Sequence, residues 1–232
     1  GSGFRRGALT SMSPGPARHL QRVGGARPPS LVDIDPGGDR TIEWLSAGDP
    51  SVRWQVMRDL LGRPEDQVAV ERARVATEGG GAQLLAAQDP DGGWAGALYS
   101  PKWTSTTYTL LLLERLGLEQ GDPRALAGCR QLWEGARWYG GGLNLAKSIR
   151  EPETCITGML VLLAAAFGHP DPHVDPAVEW LLGEQLADGG WTCDSIRHGS
   201  SHSPFHTSIT VLEALSAYER GGGSVPVASV SY

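Results

Sequence analysis

The sequence predicts an all-α fold of stacked helical hairpins, and three observations predict it. The segments 81–94 (GAQLLAAQDPDGGW) and 179–191 (EWLLGEQLADGGW) share one pattern: an apolar helix, a Gln, an Asp-Gly-Gly turn and a Trp. Segment 129–144 (CRQLWEGARWYGGGLN) is a degenerate copy with Leu143 in the place of the Trp, so Trp94, Leu143 and Trp191 lie 49 and 48 residues apart. After each turn comes a second apolar helix: TTYTLLLLERLGL from Thr106, TCITGMLVLLAAAFG from Thr154 and TSITVLEALSAYE from Thr207. A period of this length with two helices per unit means that each hairpin buries its apolar face against the next.

Taken in order, residues 1–40 are rich in Gly, Pro, Arg and Ser without an apolar period, and they read as a flexible leader that opens on a cloning scar, Gly1–Gly3. The hairpin domain is expected over 41–220. TIEWLSAG (41–48) reads as a short helix. A second, over 49–62, is opened by Asp49 as N-cap with Pro50 at its first position, and Val52, Val56, Leu60 and Leu61 recur along it at helical spacing. That pair alone would pass for a HEAT-type repeat. Pro64–Thr77 reads as a polar, outward-facing helix broken by Gly79–Gly81. The helices from Thr106, Thr154 and Thr207 are apolar on nearly all sides and belong to an inner layer; those ending at Gln88, Arg137 and Gln185 are amphipathic and belong outside. Asp122-Pro123 and Asp171-Pro172 mark helix starts. Residues 221–232 form a short tail.

Composition narrows the function. A net charge of −6 over 232 residues gives no sign of a nucleic-acid partner. The longest apolar run, Met159–Phe167, is far short of the roughly 20 residues a membrane span requires. Three cysteines with no close pair in sequence favour a reduced, cytoplasmic protein over a disulfide framework. Eight Trp against three Phe suggests that the indoles hold particular positions.

The chemistry-bearing stretch is KSIREPETC (147–155), with a distant counterpart in FHTSIT (205–210). Aligning ETCIT (153–157) with HTSIT (206–210) puts Glu153 and His206 at one register of successive units. Cys155 then stands beside them, and Lys147 and Arg150 approach from the preceding loop.

The Gln–Trp turns between alternating outer and inner helices resemble the terpenoid cyclase and protein prenyltransferase superfamily, and the turns themselves are similar to the QW motifs of squalene and oxidosqualene cyclases. The resemblance covers roughly 41–220 and implies an α/α-hairpin toroid around a central apolar cavity. With about four hairpins where a full ring has about six, the toroid would be incomplete or open.

The finer resemblance is to the prenyltransferase β subunit, in which an Asp-x-Cys pair and a His at the heads of successive inner helices bind zinc. It implies Zn²⁺ on Glu153, Cys155 and His206, the same three being the catalytic set, and a diphosphate held by Lys147 and Arg150, with the family's two cationic types exchanged. Glu stands for the family's Asp, Ser105 for a diphosphate-binding His, and Ile156 for a Tyr. Trp103 and Tyr108 would line the cavity.

This set suits prenyl transfer to a thiol: zinc with three protein ligands leaves a fourth position open and holds a bound thiol as thiolate, while the two cations offset charge growing on the departing diphosphate. The partners implied are an isoprenoid or other hydrophobic small molecule, and a helical partner subunit or second copy across the open side. In the structural alternative, Glu153 caps its helix, Cys155 is a small core residue, His206 bonds a carbonyl, and Lys147 and Arg150 are simply solvated. Cys193-Asp194 with His198 and His202 form a second polar cluster, able to cover the pocket mouth or to supply a substitute ligand.

Two other functions compete. A cyclase is suggested by the turns, yet the chain has neither Asp-x-Asp-Asp nor Asp-Asp-x-x-Asp, leaving Asp194 or Glu153 as the acid. A non-catalytic scaffold or hydrophobic-ligand carrier would need no such cluster of acid, thiol, imidazole and cations.

Overall fold

The computed structural model describes residues 39–227. The chain is mostly helical, 56% in helices, and a two-stranded hairpin is the sheet found among the described residues, so the class is all-α. The expected leader lies outside the described residues except for its last two positions, which open the first helix. Residues 228–232 of the tail lie outside them as well.

Helix α1 (Asp39–Ser46) and α2 (Pro50–Gln55) form the first hairpin. Asp49 caps α2 as expected: its Oδ1 accepts from Ser51 N–H at 2.9 Å and from Ser51 Oγ at 2.7 Å, while Oδ2 accepts from Gly80 N–H at 2.7 Å. The helix runs on through a π turn, Val56–Leu60, whose last residue is exposed, as is Leu61; the apolar face read over 49–62 thus stops at Val56. Helix α3 (Glu65–Ala73) continues as a 3₁₀ turn, Arg74–Ala76, and buries Val68 and Val75 on Trp54. The helix ends at Ala76, ahead of Gly79 at φ +65°, and the same glycines open the next one, α4 (Gly79–Ala86).

Trp54 anchors this corner. Its indole N–H donates to Leu116 O at 2.8 Å, and its ring lies where a Cβ on Gly117 would meet it at 2.6 Å. Gly117 ends its helix at φ +96°, so both its conformation and the approach of the indole require glycine there.

The rest of the fold alternates two rows. Helices α5 (Thr106–Leu116), α7 (Thr154–Phe167) and α10 (Phe205–Arg220) lie side by side, with α7 in the middle. Helices α4, α6 (Pro123–Gly135) and α8 (Val174–Gly183) back them. The pattern explains the row: α7 buries ten of its fourteen residues, including Leu160, Val161, Leu163 and Phe167, whereas α6 and α8 show one buried face. The groove shared by α5, α7 and α10 is not purely apolar. Glu114, Arg115, Glu213 and Arg220 line it beside Leu162, Ile209 and Leu212, and Arg115 bridges to Glu213.

The two Asp-Gly-Gly-Trp turns carry the same bonds. Trp94 Nε1 donates to Leu84 O at 2.8 Å and Trp191 Nε1 to Leu181 O at 2.7 Å. Gln88 and Gln185 each donate to a carbonyl four residues on, and Asp91 and Asp188 each accept from the N–H two residues on. Gly92 and Gly189 take φ of +92° and +86°, the positive values the turn demands. The middle unit departs from this. Instead of a helix running to Arg137, α6 stops at Gly135, and residues Arg137–Tyr139 (β1) pair antiparallel with Gly142–Asn144 (β2). Leu143 is buried on β2 where the other units place Trp.

The described part of the tail is tied down. Ser224 Oγ donates to Asp175 Oδ2 at 2.5 Å and Val225 N–H donates to the Tyr218 hydroxyl at 3.0 Å. No described helix is long and apolar enough to cross a membrane.

Candidate active site at the head of α7

The first turn of α7 is set by β2. Glu153 N–H donates to Leu143 O at 3.1 Å, and Leu143 N–H donates to Thr157 Oγ1 at 2.9 Å, so strand and helix head form one rigid corner. Glu153 occupies the N-cap with extended backbone, yet its side chain caps nothing. Asn144 fixes the loop between them, donating to Glu151 O at 2.5 Å and accepting from Ala146 N–H at 2.6 Å.

Onto this corner the segment after Trp191 brings a second sulfur. Cys155 and Cys193 face each other with their Sγ atoms 2.9 Å apart, although both are free thiols and 38 residues separate them. Cys193 Sγ also accepts the Cys155 backbone N–H at 3.4 Å and lies 3.6 Å from Thr154 Oγ1. Hydrogen bonding from Cys155, its N–H and Thr154 outweighs burial and holds the Cys193 thiol well below the ordinary thiol range. The same contact, with burial, pushes Cys155 up. Cys129 is the contrast: deep in the core against Leu163 O, burial pushes it up to about 12.

Glu153 does not face open solvent. Arg197, on α9 (Ser195–His198), takes its carboxylate in an ion pair, and the same guanidinium lies 3.9 Å from Glu151. Burial raises the Glu153 pKa and Arg197 works against it, leaving the net shift upward. Tyr99 stands nearby, its ionisation pushed up by burial, by the Tyr108 hydroxyl 3.4 Å away, and by the neighbouring Cys155 and Glu153. Tyr108 sits between Tyr99 and Trp103, with ring centroids 5.6 and 5.3 Å away, and Lys102 lies close enough to favour the Glu153 carboxylate. The corner therefore holds two facing thiols, a paired acid and three aromatic rings tilted against one another.

The sequence-predicted residues are only partly brought together. Cys155 and Glu153 are at the centre, and Tyr108 and Trp103 are beside them, with Trp103 80% exposed at the edge. Lys147 and Arg150 are exposed on the loop ahead of Glu153. His206 is exposed on the first turn of α10, and the alignment that put it level with Glu153 shifts by two residues. Hydroxyls fix the frame: Thr157 takes the Leu143 N–H and bonds Glu153 O, and Ser208 takes the Trp191 N–H and bonds Pro204 O. Pro204 thus matches Glu153, and His206 matches Cys155. Among the described residues, no three His, Cys, Asp or Glu side chains are grouped as a metal would require. Arg197 holds the carboxylate that zinc was expected to use.

Sequence reasoning placed Cys193 in a separate cluster and passed over Arg197 and Tyr99. His198 and His202 stay exposed, His198 with Asp194 at 3.3 Å. The equivalence of the two turns was the signal for Cys193: it stands two residues beyond Trp191, as the chain swings back toward the inner row. Nothing in the sequence marked Arg197. Compared with known proteins, the chain matches no family model, no curated protein and no solved structure.

Proposed function

We propose that the chain is an isoprenoid-handling enzyme of prenyltransferase type, an open α/α-hairpin toroid that joins an allylic group to a thiol at the head of α7. The observation that carries this reading is the Cys193 sulfur, 2.9 Å from Cys155 Sγ and bonded by the Cys155 N–H at the head of α7, with Tyr99 of the aromatic cluster near Cys155 and Glu153. In the proposed step Cys193 takes the proton of an incoming acceptor thiol. The acceptor sulfur bonds the allylic carbon, the carbon–oxygen bond breaks, and diphosphate leaves with the electron pair. Tyr99, Tyr108 and Trp103 suit the developing allylic cation. Lys102, Lys147 and Arg150 supply cations for diphosphate. The zinc set Glu153, Cys155 and His206 does not fit as arranged, because Arg197 takes the carboxylate, so no step runs through a metal. Unpaired thiols suit a reducing compartment such as the cytoplasm.

A second reading, a hydrophobic-ligand carrier, is favoured by the exposure of Trp103 and Phe205, at 80% and 83%. One experiment separates the two. Purified chain is incubated with dimethylallyl, geranyl or farnesyl diphosphate and a cysteine-containing peptide, and diphosphate release and peptide mass are followed. Enzyme activity gives prenylated peptide in step with diphosphate, abolished by Cys193→Ser. A carrier binds the matching prenyl alcohols equally well and releases nothing. Neither binding nor release for any chain length would end both readings.

A further inference from the structure

We infer that Cys155 and Cys193 form an oxidisable pair that closes to a disulfide and switches the site off. The inference concerns regulation of the site proposed above and rests on that reading only for its effect on activity.

Its basis is geometric. The two sulfurs already stand 2.9 Å apart, less than an ångström beyond the roughly 2.05 Å of a disulfide bond. Both residues are half-buried, so a small oxidant has access, whereas Cys129 is fully enclosed and has no sulfur neighbour among the described contacts. The two sulfurs belong to different segments with different freedom. Cys155 is locked in the first turn of α7, and Cys193 lies on the irregular stretch between Trp191 and α9, which can adjust by the small distance required. Cys193 is also the better placed attacking sulfur, since the Cys155 backbone N–H donates to it at 3.4 Å.

The oxidant is a peroxide. Cys193 sulfur attacks the peroxide oxygen, the O–O bond breaks, one water leaves and a sulfenic acid remains. Cys155 sulfur then attacks Cys193 sulfur. The S–S bond forms, the S–O bond breaks, and the departing hydroxide takes the Cys155 proton as a second water. Two thiols lose two electrons and two protons, and the peroxide is reduced to water. The product lacks the thiolate the transfer step requires, and a dithiol restores it.

The test treats the full chain with hydrogen peroxide and reads intact mass, free thiols and a non-reducing peptide map. The inference expects the loss of two hydrogens, one free thiol remaining, and a Cys155–Cys193 cross-linked peptide that dithiothreitol reverses. Cys155→Ser should stop at a sulfenic acid on Cys193, trapped by dimedone, and Cys129→Ser should still form the cross-link; circular dichroism verifies that each variant is folded. Three free thiols after treatment of the wild type, or a cross-link through Cys129, would overturn it. These readouts need no activity. A reversible cross-link in a chain that never releases diphosphate upholds the pair and ends the transferase reading, whereas an active chain that keeps its thiols does the reverse.

Discussion

Trp191 donates its indole N–H to the carbonyl oxygen of Leu181, ten residues earlier, across 2.7 Å of fully buried space. The bond closes the helix, turn and indole into one unit. Replacing Trp191 with Phe keeps an aromatic ring but removes this bond, leaving the Leu181 carbonyl only the Glu184 N–H at 3.2 Å, at a cost of about 1 kcal/mol. Urea unfolding of Trp191→Phe should show a lower midpoint, while Trp103→Phe, at an exposed ring, should match the wild type.

Arg197 and Glu153 give a prediction whose size depends on pH. Arg197→Met leaves Glu153 buried beside Tyr99 and Asp194 without its cation, and its carboxyl rises further above the ordinary range. A raised folded-state pKa favours the folded state at low pH, where the carboxyl is protonated, and that advantage is lost as pH rises through the folded value. The variant's deficit should therefore be largest at neutral pH and shrink on acidification, as thermal melts across that range will read.

Asp122 behaves oppositely. Burial works against its charge, but hydrogen bonds from the Arg124 side chain and backbone and from Ala125 outweigh it, and its pKa falls below the usual 3.8. Its contribution is complete above the unfolded value and is lost as pH falls through the depressed folded one. Asp122→Ala should cost about 1 kcal/mol at pH 7, from loss of the α6 cap, and nearly nothing below both values. Denaturant midpoints at the two pH extremes check this.

Thiol reactivity reports on the pair. Iodoacetamide should modify Cys193 first and leave Cys129 untouched under native conditions. Cys155→Ala removes the thiol contact that most lowers Cys193, so Cys193 moves back up and its alkylation at neutral pH slows. A rate–pH profile by mass spectrometry should show the rise displaced to higher pH.

The row of apolar helices was legible because its signals are local. Thr106 and Thr154 precede apolar runs and Thr207 an amphipathic one, and Asp49-Pro50 and Asp122-Pro123 are caps that work through bonds two or three residues long. Leu143 could be placed because periodicity alone predicts its position. The β1–β2 hairpin was missed because RWYGGGLN alternates too briefly to declare a strand, and its pairing depends on Gly141 and Gly142 approaching Trp180 on α8. The site failed to assemble on paper for a similar reason. Glu153 selects its partner 44 residues away, on a helix of four residues, and a hydroxyl, Ser208 rather than Thr210, sets the register of α10. Contacts of that range leave no mark on spacing.

The central position of α7 has a consequence for how the chain folds. Hairpin arrays can gain structure one unit at a time, because each unit meets only its neighbours. Here α5, α6, α8, α10 and β2 all meet on one helix. The early units thus lack a partner for their apolar faces until residue 167 has joined, and the later ones have nothing to dock on without it. Native-state hydrogen exchange should find the amides of α7 opening only with the whole assembly, while α1 to α3, held through Trp54 on the end of α5, open separately and sooner.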